Sequence, residues 1–342
     1  MTKYSFMDDY SEGCHPQILK AMSETNRVQQ IAYGDDTYCQ EAKKLIRGLL
    51  GQEEAPVFFV AGGTLANLIA ISKSLRPHEA IISAASGHIE LRETGAIEAV
   101  GHKILTQATK DGKLTPELIQ ATLNANSHAP HMVKPRMVYV SNATEFGTLY
   151  SKAELTAIAA FCRHQGLLLF LDGARLGAAL SAPKNDLTMR DLYKLTDVFW
   201  IGGTKAGALI GEAIVIPNQE IAEDFAYVVK QRGALLAKGR LLGIQFRELF
   251  KDNLYFAATA RANSLAARIS EAVLSNGYKL AAETETNQIF PILPNALIDR
   301  LQEKFSFYNW AKVDDQHSTL RLVTSWATDE TQVDAFIKAL EA

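Results

Sequence analysis

Cysteine is scarce in this chain: Cys14, Cys39 and Cys162 are the whole set, and none falls in a CxxC or CxxxC pair. An odd, scattered set excludes a disulfide framework. No apolar run reaches the roughly 20 residues that cross a bilayer, and the opening MTKYSFMDDY has no apolar signal core. A cytoplasmic protein is the resulting expectation. Charge of one sign is missing too, since 35 Lys and Arg against 38 Asp and Glu leave a formal net charge of −3. No basic cluster interleaves with aromatics, so nucleic acid and a membrane surface lack an electrostatic case as partners. His102, His128 and His131 have no carboxylate or cysteine at ligand spacing, and no metal site is expected. Internal repeats and low-complexity tracts are absent.

What is present is a long alternation of two textures. Glu41–Leu50, Thr64–Leu75 and Lys152–Gln165 have helical spacing. Between them lie short continuous apolar runs: Val57–Val60, Ala80–Ile82, Lys103–Leu105, Met137–Val140, Leu167–Leu171 and Val198–Ile201. Continuous runs fit strands covered on both faces, and strand–helix alternation predicts a doubly wound, mainly parallel α/β sheet. After about Lys251 the texture changes. A long helix over Leu254–Ser275, strands over Gln288–Leu293 and Thr319–Thr324 and a closing helix over Glu330–Leu340 predict a small α+β domain. The expected division is therefore 1–25 as an N-terminal arm, 26–250 as the large domain and 251–342 as the small C-terminal one.

Ligands of open α/β sheets bind beyond the carboxyl ends of strands, which directs attention to the polar residues there. Gly62-Gly63-Thr64 joins a strand to a helix, where small residues and free N–H groups favour a phosphate, or simply make a tight turn capped by Thr64. Asp172 follows the run LLLFL, and a carboxylate in that place needs a partner such as a pyridinium N–H. Three residues on, Arg175 could grip a carboxylate bidentately, or pair with Asp172. Lys205 follows a strand among Gly202, Gly203, Ala206, Gly207 and Ala208, with room for a bulky adduct and a desolvated amine, unless it snorkels to the surface. Asp172 and Lys205 are 33 positions apart (205 − 172), enough for one strand–helix–strand unit. A phosphate cradle, a ring-nitrogen carboxylate and a pocket lysine in that chain order converge on one cofactor, pyridoxal 5′-phosphate (PLP).

The motifs then carry a family resemblance. Tyr33-Gly34-Asp35-Asp36-Thr37-Tyr38, Gly63-Thr64, Gly87-His88-Ile89 with Glu93-Thr94-Gly95, Asp172-Gly173-Ala174-Arg175-Leu176-Gly177, Gly203-Thr204-Lys205 and Arg321-Leu322-Val323-Thr324 resemble those of low-specificity threonine aldolases. These belong to the β-eliminating lyase group, in the aspartate-aminotransferase-like fold (fold type I). The resemblance implies Lys205 as the Schiff-base lysine, Asp172 on the pyridine nitrogen, Gly63 and Thr64 on the phosphate and His88 stacked on the ring. It implies Arg175 and Arg321 on the substrate carboxylate and Lys230 near the phosphate. Tyr38 would reach a neighbouring subunit's site, in a homodimer or homotetramer with shared active sites and a small amino acid as substrate.

Two positions depart from the family pattern. Glu145 stands where many relatives carry a histidine for the substrate hydroxyl, and Asp8 stands for a serine that helps bind the carboxylate. The implied reaction is retro-aldol cleavage of a β-hydroxy-α-amino acid to glycine and an aldehyde, with Glu145 or His88 as base. The departures keep β-elimination, racemisation and transamination open as alternatives on the same fold.

Overall fold

A computed structural model describes residues 3–341 of the chain. Helices begin and end where local chemistry dictates. Ser151 accepts a hydrogen bond from the Glu154 N–H, the Glu154 carboxylate returns the contact to Ser151, and Gly166 closes the helix Lys152–Gln165 at φ 65°. Asp36 accepts from the Cys39 N–H at 2.8 Å, so the helix Thr37–Leu50 starts one turn before its expected start at Glu41.

In chain order the first strands are β1 (Tyr4–Ser5), β2 (Val57–Val60), β3 (Glu79–Ala84), β4 (Ile104–Gln107), β5 (Lys134–Ser141), β6 (Leu168–Asp172), β7 (Val198–Gly202) and β8 (Glu212–Val215). Seven of them form one sheet in the order β2-β8-β7-β6-β5-β3-β4. Pairing is parallel from β7 to β4, and β8 runs antiparallel to both of its neighbours. Successive residues point to opposite faces: Val138, Val140, Leu169 and Leu171 enter one core, Met137, Tyr139, Leu168 and Phe170 the other. Both faces are thus covered, which is why the strands read as continuous apolar runs.

The small domain adds β9 (Lys279–Leu280), β10 (Gln288–Ile289), β11 (Pro291–Pro294), β12 (Phe305–Ser306), β13 (Tyr308–Lys312) and β14 (His317–Val323). The single strand expected over Gln288–Leu293 is interrupted at Phe290. Ile289 faces Leu322 and Ile292 faces Thr319, so the register on β14 runs straight through the break. Pro291 has no N–H to give, and the ladder lapses there without slipping. Helix Leu254–Ser275 serves both domains: Tyr255 packs in the large core, and Leu265, Ile269 and Val273 in the small one.

The first 25 residues do not stand off as an arm. β1 pairs in parallel with β12, and Phe6 is wholly buried against Phe305 and Phe336 in the small core. The chain then crosses to the large domain, where the helix Pro16–Thr25 buries Ile18 and Ala21.

Candidate active site

The carboxyl ends of β5, β6 and β7 bring the chemistry together. Asp172, the last residue of β6, is 3% exposed and engaged at both oxygens. Its Oδ1 accepts from the Ala174 N–H at 2.9 Å, and its Oδ2 accepts from the Tyr139 hydroxyl at 2.6 Å and Asn67 Nδ2 at 3.1 Å. Asn67 sits on the helix Gly63–Ser74. Its Oδ1 accepts from Trp200 Nε1 at 3.0 Å, and its Nδ2 also reaches Glu93 Oε1 at 2.7 Å. Glu93 Oε1 in turn meets His88 Nδ1 at 2.8 Å, which fixes the ring and leaves Nε2 without a hydrogen-bond partner among the described residues. One polar net therefore joins three strand ends to His88.

The Gly63–Ser74 helix offers an open N-terminus. No side chain caps it at Gly62, and Ala66 is the first residue to bond back, to the Gly62 carbonyl. Thr64 is exposed in that first turn. A Cβ on Gly63 would stand 2.9 Å from the Trp200 ring, so glycine is required by the close approach of helix and sheet.

Lys205 lies in the one-turn 3-10 helix Thr204–Ala206 that follows β7. Burial and the nearby Arg175 charge pull its amine down to about 8, while Asp9, Asp172 and Glu212 hold it up. Glu212, at the start of β8, anchors the turn. It accepts from the Gly203 N–H at 2.9 Å and the Thr204 hydroxyl at 2.8 Å. Burial pushes this carboxyl up to about 7.

Glu145 occupies the loop after β5. Its Oε1 accepts from the His88 N–H at 3.0 Å and the Ser141 hydroxyl at 2.9 Å, and its Oε2 has no side-chain partner among the described residues. Burial, and then the Asp172 charge, raise its pKa.

Arg175 and Arg321 approach closely enough for each charge to be felt by the other. Burial and the Arg175 charge lower Arg321 to about 10, still a cation at neutral pH. Two desolvated cations this near one another would be relieved by an anion. Their forks are already held, however. Arg321 directs Nε and Nη2 to Gln288 Oε1 at 3.1 and 2.8 Å. The bidentate partner of Arg175 is Asp9, neither Asp172 nor a free site.

Three other expectations fare differently. Asp8, expected at the carboxylate site, lies 3.5 Å from the Tyr308 hydroxyl, and its neighbour Asp9 is the one turned inward. The backbone bends at Met7 and again at Asp9, and it is the Asp9 carboxylate that meets Arg175 and Asn287. Tyr38 is 8% exposed and flanked by the guanidinium groups of Arg240 and Arg247, so it is buried in its own subunit with little surface to offer another. The exposed aromatic of that motif is Tyr33, whose ring centroid lies 4.4 Å from Lys230 Nζ. Lys230 itself is exposed, and no hydrogen bond links it to Gly63 or Thr64 among the described residues. Asn67, Tyr139, Asp9 and Glu212 escaped sequence reasoning. Only the carboxylates carried a signal, as acids beside apolar or glycine-rich segments.

Comparisons with known proteins agree on one family. The beta-eliminating lyase model matches residues 7–295. A low specificity L-threonine aldolase from Pseudomonas sp. is 35% identical over 335 residues, covering 95% of this chain and 93% of that protein. The structure of a Leishmania major threonine aldolase superposes with a TM-score of 0.97 at 48% identity, covering 99% of this chain and 98% of the other. A Thermus thermophilus aspartate aminotransferase, at 14% identity with a TM-score of 0.71, shares the fold.

Proposed function

The chain belongs to the beta-eliminating lyase family, and we propose that it cleaves a threonine-like β-hydroxy-α-amino acid to glycine and an aldehyde, with PLP held at Lys205. The observation that carries this is the meeting of Asp172 and the buried Lys205 amine beyond the ends of β6 and β7, with Arg175 close enough for its charge to act on both Lys205 and Arg321. Homologous threonine aldolases spanning nearly the whole chain support the choice of reaction.

The residues present fit the cofactor. Asp172 is a carboxylate steadied by three donors and able to accept a fourth from a ring N–H. The uncapped N-terminus at Gly62-Gly63-Thr64 suits a phosphate. His88, held by Glu93, presents a ring face, and Lys205 supplies an amine that is partly neutral near pH 8. When bound there, PLP supplies an electron sink for the bonds at the amino acid's Cα.

The chain's own residues do the rest. Arg175 and Arg321 bind the substrate carboxylate and so orient the Cα–Cβ bond. Glu145 Oε2 takes the proton of the β-hydroxyl as that bond breaks and the aldehyde forms; its raised pKa makes it a stronger base than an exposed carboxylate. His88, fixed through its backbone N–H to Glu145 and through Nδ1 to Glu93, keeps base and ring in register. A proton returned to Cα from Lys205 completes glycine.

A second copy of the chain completes the assembly in this proposal. The exposed Val28, Ile31, Tyr33, Leu209 and Tyr227 support it, being large apolar side chains otherwise left in water. Light scattering of the purified protein measures the state directly. The three free thiols are in keeping with a reducing cytoplasm.

The test is aldehyde release from L-threonine, L-allo-threonine and a β-aryl-serine by protein supplied with PLP. Turnover of at least one, lost in Lys205→Ala, is expected. Keto acid or ammonia without aldehyde would transfer the assignment to β-elimination or transamination.

A further inference from the structure

Asp9 is 1% exposed and lies where three parts of the chain meet. Its carboxylate accepts from Arg175 Nε at 2.8 Å and Nη2 at 3.0 Å, and its Oδ2 also accepts from Asn287 Nδ2 at 2.9 Å. Asn287 donates onward from Nδ2 to the Thr324 carbonyl at 2.8 Å, and the Thr324 N–H returns to the Asn287 carbonyl at 3.0 Å. Just before Asp9, the Phe6 carbonyl accepts from the Val323 N–H at 2.8 Å. One carboxylate thus ties the N-terminal segment to the loop after β6 in the large domain and to the ends of β10 and β14 in the small domain.

The consequence for the two arginines is specific. With Nε and Nη2 committed to Asp9, Arg175 keeps Nη1 without a protein partner among the described residues. Arg321, two residues before Val323 on β14, is held at the same two nitrogens by Gln288. Each guanidinium is gripped along one edge and presents the other. A substrate carboxylate is then met by one free edge from each domain, and the distance between those edges depends on what joins the domains.

We propose that Asp9 is a positioning residue: it aims the free edge of Arg175 at the substrate carboxylate and, through Asn287, sets where Arg321 stands opposite. The proposal rests on the aldolase function above. Asp9 also balances charge. It is held at about 2 because the Arg175 and Lys205 charges outweigh the opposing effect of burial, so it stays anionic throughout the working range. Without it, the uncompensated guanidinium of Arg175 would face the Lys205 amine.

Three full-length proteins test this: the parent, Asp9→Asn and Asp9→Glu. KM and kcat for L-threonine are measured on each, and the pH midpoint of Lys205 carbamylation is followed by peptide mass mapping without added PLP. Asp9→Asn is expected to raise KM about 10- to 100-fold, the size of one misplaced charge-assisted contact, with a smaller change in kcat. Its Lys205 midpoint should fall by on the order of one unit. Asp9→Glu keeps the charge but misplaces it, so KM rises while the midpoint stays near the parent's. An Asp9→Asn protein with parental KM and midpoint, differing only in melting temperature, overturns the proposal. If Asp9→Asn does not fold, Asp9→Glu decides alone, a parental KM refuting and a raised one supporting. A parent that releases no aldehyde sinks the aldolase function instead, and the Lys205 midpoint still judges Asp9.

Discussion

Replacing Glu212 by glutamine should change how stability depends on pH more than it changes stability itself. This carboxyl is 4% exposed, and burial raises it from 4.5 to about 7. Between those values the folded protein holds a proton that the unfolded chain has released, so stability falls as pH rises from about 4.5 to 7. The shift of about 2.5 units (7 − 4.5) corresponds to about 3 kcal/mol at 1.36 kcal/mol per unit. About 2 kcal/mol of it falls between roughly pH 5 and pH 7.5. Glutamine never ionises and escapes this loss, but it cannot accept at both the Gly203 N–H and the Thr204 hydroxyl, which costs about 1.5–3 kcal/mol. The variant should therefore be the weaker protein at about pH 5 and close to the parent at about pH 7.5. Urea titrations at each pH, read by tryptophan fluorescence with equal m-values, give the difference directly, because every other titrating group cancels. A gap between parent and variant that stays constant across this range would refute the account of Glu212.

Glu145→Gln should keep the fold, since its amide oxygen still accepts from His88 and Ser141, yet lose about 10²- to 10⁴-fold in kcat. The parent's rate should fall as acid protonates Glu145, above the usual carboxylate range because its pKa is raised, and the residual rate of the variant should lack that limb. Gly63→Ala drives a methyl toward the Trp200 ring, which its Nε1 bond to Asn67 holds in place, so about 1–3 kcal/mol of stability should be lost. Cofactor affinity, measured by equilibrium dialysis, should weaken at the same time. Arg321→Lys should raise KM for L-threonine about tenfold or more, because an ammonium cannot hold Gln288 along one edge and substrate along the other; an unchanged KM would remove Arg321 from the carboxylate site.

Much of the fold was legible because the buried strands of the parallel sheet announce themselves as apolar runs, with Asp172 closing β6 and Lys205 three residues past β7. Asp172 and Lys205 stood out for that reason. β8 did not, since its four residues EAIV follow a glycine-rich turn and begin on a glutamate that reads as a solvated charge. β13 has mostly exposed side chains and no apolar run to betray it. Tyr139 and Asn67 look like ordinary strand and helix residues; only the meeting of β5, β6 and the Gly63–Ser74 helix turns them toward Asp172. Asp9 could not be told from Asp8 by sequence, because its burial depends on Arg175, a partner 166 positions away. Spacing exposes periodicity along an element. It does not expose which distant side chain waits to neutralise a charge.

β1 leaves the ribosome long before the strand on which it docks. Its partner strand begins at Phe305, and the Phe6 carbonyl waits for the N–H of Val323. During synthesis the large sheet can collapse long before that, with Lys205 and Asp172 already in place and Arg175 still lacking its aspartate. In the proposed mechanism the carboxylate-binding half of the pocket is thus a late product of translation, and a chain truncated before the final strand would carry the proposed cofactor seat without its substrate clamp.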